Sequence, residues 1–568
     1  MKKLLSIVLV LTMLLGIAVP AFAQGENEQL PLIVLGGYGS SPLYYIAEDG
    51  TTQQVWPLSG DSISEQTSTD LPAFLLAVLK FLCGDVEDLG KAIAFGGMNI
   101  LDKAFCGENG ESLYNVKYFP NDPQYTNYNY LSENRTTELH EKELCAAQAK
   151  IRGGDRVFCF QYDFRKGGYE AAVELDKFVK AVLAYTGAEK VDIFGISYGG
   201  FVGGTYLSLY ADTAPVNNVV LDVPALGGTS FAKRFFLGEV DFPVSSLASL
   251  FETLLGSETN IAGLLKNVKL PRIEKLASVF LKTISVLPSR WGSLWDLLTP
   301  EDYEILKERL LDPVENAEII RKSDIVHHEV MPNYKTNFAR CMERGANISI
   351  LCNYVDYTAF GGQKLADMLL DASRVSGAVC ADVGRRLPDN YTPAGTSCND
   401  STHDHLAPSM KVDASSAYLP ENTWFIDGQY HGTYAKDPYT VELINSLLTA
   451  EEKTDIYTYE SFPQFQIALQ PYYTVNAVFE GQKTGHIGSS DTLTVTNLSA
   501  TNEIRLTSIE LDGVKIDGAF GKTLAPGESA SFKVEIEKPV TGRKELTVAY
   551  MKNTFGPLVS ERCFDFVK

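Results

Sequence analysis

Two kinds of hydrophobic pattern divide the chain. From Pro31 to about residue 465, short continuous apolar runs recur: PLIVLGG, RVFCFQYDF, KVDIFG, NNVVLDVP, NISILCNY and TWFIDG. A run of that length without alternation suits a strand buried on both faces of a sheet. Between the second and third runs, Leu175, Phe178, Val179 and Val182 fall at i, i+3, i+4 and i+7, and Gly187 follows. That is the apolar stripe of an amphipathic helix ending at a glycine. Strands alternating with helices predict right-handed crossovers and a mostly parallel, doubly wound α/β sheet.

Two insertions break the alternation. One, from about 56 to 149, is partly helical and then rich in Asn and Tyr. The other, from about 227 to 330, holds apolar helical stretches such as VSSLASLFETLLG, at the place where a cap over a site would sit. After about residue 470 the period changes. DTLTVTN, EIRLTSIEL, ASFKVEIE and KELTVAY alternate apolar with polar residues, and Gly, Pro, Asp and Asn separate them. This predicts an antiparallel β-sandwich of Ig-like type over 469–568. Its one candidate group is a lone His486, so support, or binding to a substrate or surface, is expected of it.

Composition adds a compartment and removes partners. The chain has 568 residues, so two or more domains are expected. Its formal charge of −22 argues against nucleic acid as a partner and against tight electrostatic docking on anionic membranes. Lys2 and Lys3 precede an apolar stretch from Leu4 to Val19, and Ala21-Phe22-Ala23 follows. This reads as a signal peptide over 1–23, cleaved after Ala23, leaving a secreted catalytic domain over 24–468. The leader carries two lysines and no acids, so the mature charge would be −24. No cysteine follows the cleavage site, and no later segment is long and apolar enough to span a bilayer. Of nine cysteines, Cys159 and Cys352 lie in apolar runs and read as buried thiols. Cys83 with Cys106, and Cys380 with Cys398, flank loop-like segments and are disulfide candidates. No clustered His/Cys spacing suggests zinc, and no cofactor is expected.

The chemistry centres on VDIFGISYGGFVGG, from Val191 to Gly204. Gly195-Ile196-Ser197-Tyr198-Gly199 fits the G-x-S-x-G nucleophile elbow, with a strand before it and a helix after it. A serine hydroxyl is a weak nucleophile and needs a histidine base and an orienting carboxylate. Of seven histidines, His431 follows the strand TWFID in a loop at its carboxyl end, and it is the expected base. For the acid, Asp404 is favoured in the segment DHLAP, Asp356 is a rival directly after NISILCNY, and Asp400 is third. Asp427 reads as a turn residue. An oxyanion hole needs two backbone N–H groups; Gly37, in VLGGYGSSP, and Tyr198 are expected to supply them.

Several of these pieces together resemble the lecithin:cholesterol acyltransferase-like lipases of the α/β-hydrolase superfamily. They are PLIVLGGYGSSPLYY, then QQVWP, then FQYDFRKGGYEAAVELDKFV, then VDIFGISYGG, then LDVPALGGTSFAKRFFLG. Tyr162-Asp163-Phe164-Arg165 stands where that family has Y-D-W-R, and DHLAPS where it has its acid loop. The resemblance covers about 30–450. The chain departs from the family pattern at Leu35, at Gly-Ile before Ser197, and in an acid loop without glycines. The resemblance implies an α/β-hydrolase with helical cap insertions that cleaves or transfers acyl groups of lipid esters through an acyl-serine, Cys83 to Cys106 matching a disulfide-closed lid loop. Another serine esterase, a polyester depolymerase or peptidase on the same triad, and a surface-binding protein with a degenerate site are the alternatives.

Overall fold

A computed structural model describes residues 29–57, 102–237, 290–355 and 364–468, with breaks at 384, 389, 396–402 and 404, and most of 475–566. The segment 1–23 expected to be a signal peptide lies outside the described residues, as do His486 and the disulfide candidates Cys83 and Cys398. All six expected strands form. They are β1 (Leu32–Leu35), β2 (Val157–Phe160), β3 (Val191–Ile196), β4 (Val216–Asp222), β5 (Asn347–Tyr354) and β6 (Thr423–Asp427). A seventh strand that the pattern did not predict, β7 (Phe465–Ile467), is only three residues long, too short to show a period. The seven make one sheet in the order β2-β1-β3-β4-β5-β6-β7, every neighbouring pair parallel.

Both faces of this sheet are covered, which is why its strands read as unbroken apolar runs. Side chains alternate between two separate cores. Ile33, Leu35, Ile193, Leu221 and Ile350 enter one, and Leu32, Val34, Phe194, Val220 and Leu351 enter the other. On the first face pack α1 (Gly168–Thr186) and α2 (Tyr198–Leu209). In α1 the predicted stripe of Leu175, Phe178, Val179 and Val182 is buried, and Gly187 caps the helix with a left-handed φ of 71°. On the second face packs α3 (Pro438–Leu448), through Leu443, Ile444 and Leu447. The whole is an α/β-hydrolase-like sheet-and-helix arrangement. Cys159 and Cys352 are fully buried thiols within it.

The connections matter most at β1. From β1 the chain moves to β2 on one side, then crosses back to β3 on the other. The carboxyl ends of β1 and β3 therefore diverge from one another at a topological switch point, where open α/β sheets bind ligands. The C-terminal part forms a three-stranded and a five-stranded antiparallel sheet. Val495 and Val534 from one, and Ile509, Val548 and Tyr550 from the other, share a single core.

Candidate active site

Ser197 sits between β3 and α2 with φ 57° and ψ −122°, a backbone that non-glycine residues avoid. Its neighbours explain how the chain holds this turn. A side chain at Gly199 would come within 2.3 Å of the Leu35 carbonyl oxygen, and one at Gly195 within 2.9 Å of the Gly199 carbonyl oxygen. Only glycine fits where β1, β3 and α2 meet. The Ser197 N–H donates to the Asp222 carbonyl oxygen at 2.9 Å, which fixes the turn to the end of β4.

The turn presents the Ser197 hydroxyl to His431. Oγ lies 2.8 Å from Nε2, and Nδ1 lies 2.7 Å from Oδ2 of Asp367. With the proton on Nδ1, the ring donates to Asp367 and accepts from Ser197. Asp367 holds the histidine a second time: its carbonyl oxygen accepts the His431 N–H at 2.9 Å. The other carboxylate oxygen accepts the Leu369 and Leu370 N–H groups at 3.0 and 2.8 Å. Burial pulls the basicity of His431 down, but the charge and hydrogen bond of Asp367 raise it above the ordinary value, and Asp222 adds to this when ionised.

The acid at His431 is thus Asp367, in place of the expected Asp404. The rivals Asp356 and Asp400, like Asp404 itself, lie outside the described residues. Two features account for the difference. The chain leaves β5 after Val355 and returns at Ala366, whose carbonyl accepts the Val355 N–H at 2.9 Å. This antiparallel bridge brings Asp367 back beside the carboxyl end of β5, twelve positions after Val355 in sequence. In the same expected acid segment, the described His405 bonds to Gln464, whose amide donates to the Pro420 and Thr423 carbonyls at the start of β6. His431 leaves from the other end of that strand, on the order of 13 Å away.

Gly37 lies beside the serine: a side chain there would be 3.4 Å from the Ser197 Cβ. The Tyr162 hydroxyl, in reach of the Gly36 and Gly37 carbonyl oxygens at 2.8 and 3.1 Å, draws the Gly36 carbonyl to one side. In a planar trans peptide the Gly37 N–H then points the opposite way. Tyr198 is the first residue of α2, where an N–H has no acceptor within its own helix. The rest of the Tyr162–Arg165 segment is an anchor. Arg165 pairs with Asp163 in the interior and donates to the Ala104 carbonyl, which ties the segment to the first insertion.

One further group was not visible in sequence. The helix α4 (Gly292–Asp296) lies within the second insertion, and its Asp296 accepts from the Gly168 N–H at 2.6 Å and the Tyr198 hydroxyl at 3.0 Å. Burial pushes the Asp296 carboxyl up to about 7 against these donors. Ser293 of the same helix contacts the Tyr38 hydroxyl at 3.2 Å. An aspartate at the end of a short helix, with its partners more than 90 positions away, carries no local signal.

No protein family and no curated protein matches this chain. Among solved structures it is similar to the phospholipase PlaB from Legionella pneumophila, at 10% identity over 74% of this chain and 85% of that one, with TM-score 0.27. It is similar to the Bacillus licheniformis lipase BlEst2 in propeptide form, at 11% identity, 73% and 69% coverage and TM-score 0.23. It is also similar to a chain of the Tle4–Tli4 complex, at 11% identity, 58% and 76% coverage and TM-score 0.25.

Proposed function

We propose that this chain is a secreted serine hydrolase, akin to the lecithin:cholesterol acyltransferase-like lipases, which cleaves or transfers the acyl group of lipid esters. The observation that carries the reading is the continuous relay from Ser197 Oγ through His431 to Asp367 at the sheet's switch point. Ser197 attacks the ester carbonyl carbon while His431 Nε2 takes its proton. Asp367 stabilises the imidazolium and holds its orientation. The Gly37 and Tyr198 N–H groups receive the oxyanion. When the tetrahedral species collapses, the alkoxide leaves with the proton from His431, and an acyl-serine remains. Water, or a second alcohol, then gives its proton to His431 and takes the acyl group.

The lipid assignment draws on the motif order of the sequence and on the helical second insertion, whose helix α4 packs against Tyr198 and Tyr38. The C-terminal sheets, read as Ig-like, serve as support or as a surface-binding module. The test is labelling of the purified protein with a fluorophosphonate, beside Ser197→Ala and His431→Ala, with p-nitrophenyl esters of short and long chains. Labelling lost in both variants, with long-chain turnover, supports the reading. An unlabelled wild-type protein overturns it, and turnover confined to short chains overturns the lipid assignment.

A further inference from the structure

Asp222 is the last residue of β4, one strand from the nucleophile and in register with Ile196. Its side chain is fully buried, and neither carboxylate oxygen has a hydrogen-bond partner among the described residues. Other buried acids near the sheet are paired: Asp163 with Arg165, Asp192 with Arg152, Asp371 with Ser230. An unpaired buried carboxyl group costs stability, where a valine in the run VVLDV would cost nothing.

Strand alternation places Asp222 on the same face as Val220, in the core that also holds Tyr434 and α3. The loop carrying His431 lies between β6 and α3 on that side. The groups acting electrostatically on Asp222 are His431, Glu141 and Asp367, and Asp222 in turn acts on Tyr434. Glu141 is itself taken up by the Tyr434 hydroxyl at 2.8 Å. Of all these, His431 alone can become a cation. Among the described residues, an anion at Asp222 is therefore favoured by a protonated His431, the state that forms when Ser197 gives up its proton.

We infer that Asp222 is a second carboxylate serving the His431 imidazolium, a positioning residue that acts from the end of β4 beside Asp367. This rests on the acyl-serine reading of the site. In the resting protein, burial keeps Asp222 protonated, its carboxyl pushed up to about 8 despite the opposing pull of His431. Glu141 and Asp367 push it the same way as burial. Above that pH the group ionises, and the new anion makes His431 a stronger base and a more stable cation.

The test measures fluorophosphonate labelling rates and ester kcat from pH 6 to 9.5 for wild type, D222N, D367N and the double variant. The expected ratio of wild-type to D222N rates climbs about tenfold from pH 6.5 to pH 9, as one unit of added basicity would give. The residual labelling of D367N climbs as well, and at lower pH because the repulsion from Asp367 is gone; D222N/D367N stays flat. If D222N fails to fold, the D367N profile alone decides. A flat ratio, or a flat D367N profile, with wild type labelled at Ser197 overturns the role of Asp222 and leaves the triad standing. Wild type unlabelled at Ser197 overturns the triad reading on which the role rests.

Discussion

The Tyr198 side chain reaches back from the nucleophile turn to donate its hydroxyl to Asp296, 3.0 Å away and 98 positions later in the chain. The residue proposed to offer its N–H to the oxyanion is thereby tied to the second insertion. Asp296→Ala removes the acceptor for two buried donors, Tyr198 O–H and Gly168 N–H. The expected result is a loss of about 2 kcal/mol in urea unfolding, with kcat falling more than KM rises.

Stability should decline on the alkaline side. The Asp222 and Asp296 carboxyls are raised by burial to about 8 and about 7, and His431 is raised by Asp367 against its burial. A raised group binds more protons folded than unfolded, so its contribution is full below the unfolded value and lost as pH rises through the folded one. The melting temperature should therefore fall from pH 5 upward, and the fall should level off once pH passes the folded values of about 7 and about 8. Asp222→Asn, which cannot ionise, should flatten that fall and be more stable than wild type at pH 9, on the order of 2 kcal/mol. A D222N melting curve that tracks wild type across pH would contradict this.

Tyr162→Phe removes one hydroxyl and leaves the ring packed between Phe160 and Tyr198. The Gly36 and Gly37 carbonyls lose their donor, and the Gly37 N–H loses its fixed direction. We expect kcat to drop about tenfold with KM little changed, since the oxyanion contact strengthens as charge develops. Steady-state kinetics on a single ester decides it.

Asp367→Asn should lower kcat on the order of a thousandfold at pH 7, because the amide no longer holds the imidazole in its working tautomer. Asp404→Asn should stay within about threefold of wild type, since Asp367 already holds the Nδ1 side of His431. The reverse ranking in a pH 7 ester assay would return the acid to the Asp404 loop.

Gly199→Ala places a methyl 2.3 Å from the Leu35 carbonyl oxygen, against backbone that cannot swing away. It should cost more than about 3 kcal/mol and abolish serine labelling. Thermal melting and fluorophosphonate labelling check both parts.

What the sequence determined by itself was the set of features whose physical cause is local. A strand buried on two faces must be apolar throughout, so six of the seven strands were legible as unbroken runs. A nucleophile turn needs glycines within two residues of the serine, so Ser197 announced itself in five letters. His431 was legible because a loop at the end of an apolar strand is itself a sequence feature. Tertiary structure decided the rest. An acid need only reach Nδ1 from any loop at that edge of the sheet, and the Val355–Ala366 pairing, which no local pattern announces, delivers Asp367 there. Asp222 was hidden for the opposite reason: within NNVVLDVP it reads as one polar interruption of a strand, and only the positions of β3, β4 and the His431 loop place its carboxyl in the interior behind the histidine.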